Sequence, residues 1–210
     1  MEFQFNLKKI IQSLCYYVLP AVMFMLVIAF QLLNIDNYQL LVEFGKYALI
    51  LVLIILFVKP ISVIFNKIDL FRIIMSYRRE MGVLAFWFAT FHAILLMFYL
   101  KLISIESLPL FIDIKGMLFW GVLALLGMIL LGITSNTLSQ IKLKQNWKKL
   151  QYLAYPTLAF ILIHKAIVKN EFEPYIILGI FIILKIIEKY LIKKRLNSIS
   201  TNNSQNLNSN

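Results

Sequence analysis

Hydrophobic positions along this chain fall in long blocks rather than in short alternations, and polar residues are confined to the joints between them. The first block runs from Ile10 to Leu33 and closes on the polar turn NIDN. The second is centred on Tyr47 to Val58, with Lys46 and Lys59 at its ends and Pro60 marking its exit. After the mixed segment NKIDLFRIIMSYRR comes the third, Met81 to Leu100, and then a fourth from Gly116 to Thr134. The fifth covers Leu150 to Val168, and the sixth starts at Pro174 and is interrupted by Lys185, Glu188 and Lys189. A bilayer crossing takes about 20 apolar residues in a helix. Lysines at the ends of a shorter block can reach the interfaces along their own stems. The pattern therefore predicts an all-α, polytopic bundle of six transmembrane helices over residues 1–196. The Asn- and Ser-rich tail, 197–210, has the composition of a disordered segment.

Composition supports this class. The 210 residues are 61% hydrophobic and 15% charged, which no ordinary soluble domain matches. A net charge of +11 would suggest nucleic acid in a soluble protein, but in a lipid-embedded chain basic residues mark cytoplasmic loops. Lys8 and Lys9 ahead of an apolar run look like the start of a signal peptide. Without a small-residue cleavage site, the segment reads as an uncleaved first span. With the N-terminus inside, sixteen of the 21 lysines and arginines lie on the cytoplasmic side. Lys46, Lys101, Lys115, Lys165 and Lys169 remain outside, so both termini are expected in the cytoplasm. The single cysteine, Cys15, excludes a disulfide framework and a CxxC pair.

Candidate chemistry rests on two histidines, the only ones in the chain. His92 lies inside the uncharged run that follows Arg78 and Arg79; His164 lies inside PTLAFILIHKAIV. Ionisable groups at such positions mark function by default. Measured at 1.5 Å per residue, His92 is roughly 20 Å beyond Arg79 and His164 roughly 21 Å beyond Leu150. The third and fifth spans run parallel, so the two imidazoles are expected at one depth in the outer half of the membrane.

Two readings compete at this point. The pair can relay protons or bind a polar solute, as in a small transporter or assembly factor. Alternatively it ligates haem b from both sides, with Ala85 and Ala89 leaving room beside the ring and Phe88 and Leu96 packing on it. No Asp, Glu or Cys accompanies either histidine, which argues against a divalent-metal site. Gly121, Ala124, Gly127 and Gly132 on the fourth span favour close helix approach.

Several segments also resemble a known family. YRREMGVLAFWFATFH is similar to the RR-x-LGL-x-AF…LH signature of the ferric reductase-like transmembrane cytochromes. FGKYALILVLIILFVKPIS, DIKGMLFWGVLALLGMILLGITSN and NWKKLQYLAYPTLAFILIH follow in the family's order. Within the family they resemble the haem-binding membrane subunits of periplasmic methionine sulfoxide reductase systems. The resemblance implies that His92 and His164 are axial ligands of an outer haem b in a bacterial inner membrane. It further implies electrons from quinol or a cytoplasmic flavin reductase, FMN as an additional cofactor, and a periplasmic molybdopterin reductase as partner. The chain departs from the family at Gln151, where a histidine would serve an inner haem. An amide is the weaker ligand, so one haem is expected, with Arg78 placed for propionate contact rather than ligation. Tyr152, Tyr155 and Trp147 are expected near an inner donor site or as interfacial anchors.

Overall fold

The computed structural model describes residues 9–33, 38–65, 68–101 and 108–208, with side chains described as far as Ser198 apart from Leu108 and Leu110. Every element in these residues is helical. Helix α1 (Lys9–Leu32) contains a π-helical turn, Leu14–Val18. Pro20 explains that turn, because it has no N–H for the Tyr16 carbonyl and its ring crowds the same group. Helix α2 (Tyr38–Ile64) holds Pro60 inside it. The expected exit at Pro60 is thus corrected: the helix runs on to Ile64. One missing bond is tolerated where neighbouring bonds and packing hold the backbone.

The short α3 (Asp69–Ser76) leads into α4 (Arg78–Tyr99), which carries His92. A short α5 (Leu108–Ile112) precedes α6 (Met117–Ile133). At the end of α6 the hydroxyls of Thr134 and Ser135 bond back to the Leu130 and Leu131 carbonyls, and Asn136 caps α7 (Thr137–Leu143) by accepting from the Ser139 N–H. The axis bends by 89° between α6 and α7. Next come α8 (Gln145–Gln151) and α9 (Ala154–Lys169), which carries His164. Between them the chain is irregular at Tyr152 and Leu153, because Pro156 cannot donate to the Tyr152 carbonyl four residues back. The final helix, α10 (Glu173–Asn208), continues into the stretch whose composition argues for disorder.

Among the described residues, four helical stretches are long and apolar enough to cross a membrane: α1, α2, α4 and the combined Gln145–Lys169 stretch. The bent pair α6–α7 makes a fifth. α10 does not reach that standard, because Lys185, Glu188 and Lys189 interrupt its apolar half.

α2 packs on α4, and α6 packs on α9; α4 against α6 and α10 against α2 and α9 close the bundle. A central cluster joins Val52 and Leu56 of α2, Ala85 of α4, Met128 of α6, Leu158 and Leu162 of α9, and Phe181 of α10. A second cluster, at the histidine end, joins Met23, Val27, Leu41, Phe44, Phe91 and Leu95. The outward surface stays apolar at residues such as Ile50, Ile54, Leu126 and Leu130. Helices apolar all round are what a lipid solvent selects.

Candidate functional site: two histidines clamped by glycine-exposed carbonyls

Each histidine is held in the same way by the helix it packs against. On α4, His92 Nδ1 lies 2.9 Å from the Leu41 carbonyl of α2. On α9, His164 Nδ1 lies 2.8 Å from the Met117 carbonyl of α6. A helical carbonyl is normally screened by the side chain four residues ahead, which lies over it on the same face. At both places that residue is glycine, Gly45 after Leu41 and Gly121 after Met117. A Cβ at Gly45 would stand 2.8 Å from His92 Nδ1, and one at Gly121 would stand 3.0 Å from His164 Nδ1. The glycines let each imidazole lie against bare backbone.

This geometry decides the tautomer. A carbonyl only accepts, so Nδ1 carries the proton in both rings and Nε2 keeps its lone pair. Two such rings have two acceptors and no proton to share, so they cannot hydrogen-bond directly to each other in this state. Their centroids are 6.3 Å apart and their planes are inclined at 81°. Two imidazoles bound through nitrogens about 2 Å from one metal ion would have ring centres roughly 6 Å apart. The spacing, the uncommitted Nε2 atoms and the carbonyls that orient both rings fit a metal centre that would be held between the two imidazoles, such as a haem iron. Among the described residues no group of three or more His, Cys, Asp or Glu side chains could hold a metal ion.

The remaining expected residues are distributed differently. Arg78 opens α4, 14 residues and roughly 21 Å of helix from His92, so it is not gathered with the histidine pair. Gln151 ends α8 with its Nε2 buried and without a hydrogen-bond partner. Ala85 leaves no free space, because it is fully buried in the central cluster with Leu56, Met128 and Leu158. Phe88 turns toward α2, with its ring 5.6 Å from both Phe44 and Tyr47. Tyr152 and Tyr155 stack at 6.0 Å, whereas Trp147 donates instead to the Thr134 carbonyl at 2.9 Å. The close approach expected from the small residues of α6 is present, since a Cβ at Gly127 would collide with Thr157 Oγ1.

Sequence reasoning missed Gly45, the two carbonyls and two buried acids. Glu80, 2% exposed, lies in the first turn of α4 with Oε2 unpaired. Glu188, 3% exposed, is bound by Lys59 and Lys185. Gly121 was already marked among the small residues of the fourth block, but Gly45, just before Lys46, carried no such signal.

Residues 44–163 match the family of ferric reductase like transmembrane components. The chain belongs to that family. The match begins one residue before Gly45 and ends one residue before His164. The chain is also 28% identical over 152 residues to the protein-methionine-sulfoxide reductase heme-binding subunit MsrQ of Rhizobium meliloti (strain 1021), covering 72% of this chain and 68% of the relative. No solved structure matches.

Proposed function

We propose that this ferric reductase-like chain is a haem b electron-transfer subunit of a membrane oxidoreductase, with His92 and His164 as the axial ligands. The matched pair of Nδ1–carbonyl clamps carries this reading, because it leaves the Nε2 lone pairs uncommitted on two rings whose centroids are 6.3 Å apart. A haem bound there supplies a one-electron iron couple. The chain's own part is to fix both imidazole tautomers, hold the rings at nearly right angles and surround them with apolar helix. The similarity to a heme-binding subunit of a protein-methionine-sulfoxide reductase supports a haem-binding role and a methionine sulfoxide reductase as the acceptor.

In the full reading, α10 is the sixth span, both termini are cytoplasmic, and the membrane is the bacterial inner membrane. Electrons come from quinol or a cytoplasmic flavin reductase and leave to a periplasmic molybdopterin reductase. A single haem is favoured by the amide at Gln151 and by the close packing of Ala85, Met128 and Leu158 below the histidines. A proton-relay or solute-binding protein is less well supported, because both Nδ1 protons are already committed to backbone.

The test is turnover in proteoliposomes. Quinol is expected to reduce the chromophore, and a periplasmic reductase with methionine sulfoxide to reoxidise it. A chromophore that neither partner changes would overturn the assignment of donor and acceptor.

A further inference from the structure

At the opposite end of the bundle from the histidines, α2, α9 and α10 enclose a groove of about 680 Å³. Lys59 is 18 residues beyond Leu41 on α2, roughly 27 Å of helix, close to one hydrocarbon thickness. The groove therefore lies at the other membrane interface. Its lining carries three lysines, Lys59, Lys185 and Lys189, but one carboxylate, Glu188. Glu188 takes Lys59 at 3.4 Å and also pairs with Lys185, and Lys185 sits 5.2 Å above the Tyr155 ring. An ammonium offers three donors, so one carboxylate does not satisfy the two it binds. The groove holds two positive charges in excess, with Lys185 part-buried and Lys59 and Lys189 exposed at its rim.

Beside this cationic end the wall is hydrocarbon: Phe181, Ile182, Ile186 and Ile192. Ile182 and Ile186 are also exposed on the outer face of α10, so the groove continues sideways onto lipid-facing surface. We infer that it binds an anionic phospholipid, with its phosphodiester on Lys59, Lys185 and Lys189 and its acyl chains along α10. The charge excess selects an anionic over a zwitterionic head group, because choline would add a cation to a site already in surplus. The apolar wall selects a lipid over a free phosphate. Basic pockets between helices at a cytoplasmic face are suited to such head groups. This inference rests on the membrane assignment and is independent of the histidine pair.

The experiment is native mass spectrometry of the full chain in detergent, titrated with phosphatidylglycerol, phosphatidylcholine or glycerol phosphate. Phosphatidylglycerol is expected to bind at least fivefold more tightly than phosphatidylcholine, and glycerol phosphate at the same concentrations not to displace it. Lys189→Gln is expected to weaken phosphatidylglycerol about fivefold, the effect of one interfacial lysine, and Lys189→Arg to restore it. Equal affinity for the two lipids, an unchanged Lys189→Gln variant, or displacement by glycerol phosphate would each overturn the proposal.

Discussion

Replacing Gly45 with alanine tests the clamp on one atom. The added methyl would lie 2.8 Å from His92 Nδ1 and 3.0 Å from Cε1, well inside van der Waals contact. The ring is rigid and its helix is packed, so either the imidazole tilts or α2 separates from α4. Both movements stretch the 2.9 Å bond to the Leu41 carbonyl. A buried group left without its partner costs about 1–3 kcal/mol. That matches the 10–100-fold loss in affinity expected when the outer partner of a metal-ligating histidine is removed. The assay is haemin titration of the apoprotein, with the absorption spectrum recorded at saturation. Gly121→Ala should behave alike, since its methyl would meet His164 Nδ1 at 3.0 Å. Gly82→Ala is the control: it lies on the same helix as His92 with nothing within 4 Å of its Cβ, and there alanine stabilises a helix by roughly 0.5–1 kcal/mol. If Gly45→Ala binds haemin as tightly as the parent while Gly82→Ala also does, the clamp has no role in ligation.

His92→Ala and His164→Ala should each abolish the low-spin bis-imidazole spectrum; a variant that keeps it identifies a residue that was not a ligand. Glu188→Gln should lower thermal stability by about 1–3 kcal/mol, read as a shift in the melting curve. The value is set below that for a fully buried pair because the Lys59 side chain is 50% exposed. Gly127→Ala should force α6 and α9 apart where Thr157 now fits and destabilise the bundle more than Gly82→Ala, by the same melting assay.

The membrane-helix class was legible because each helix must present apolar side chains to lipid on most of its surface, and long uncharged blocks have few other uses. Among the described residues four expected spans qualify, five with the bent α6–α7 pair, and α10 does not. The shared depth of His92 and His164 followed from counting 1.5 Å steps along each helical stretch. What could not be read was anything set by a neighbouring helix. Pro60 looks like a terminus in one dimension but is carried inside α2 by the surrounding bundle. Ala85 looked like space until Leu56, Met128 and Leu158 filled it. Glu188 looked like an interfacial charge because Lys59, its partner from α2, is 129 positions away in the chain. Gly45 was invisible for the same reason: its role exists only where His92 meets a carbonyl 51 residues earlier.

The central claim, that one haem b is held between His92 and His164, is tested most directly by the absorption spectrum of the purified protein, oxidised and dithionite-reduced, with haem quantified per chain. The account predicts one haem per chain with a low-spin bis-histidine signature. Protein from haem-replete cells with no haem, or with a five-coordinate spectrum, would contradict it.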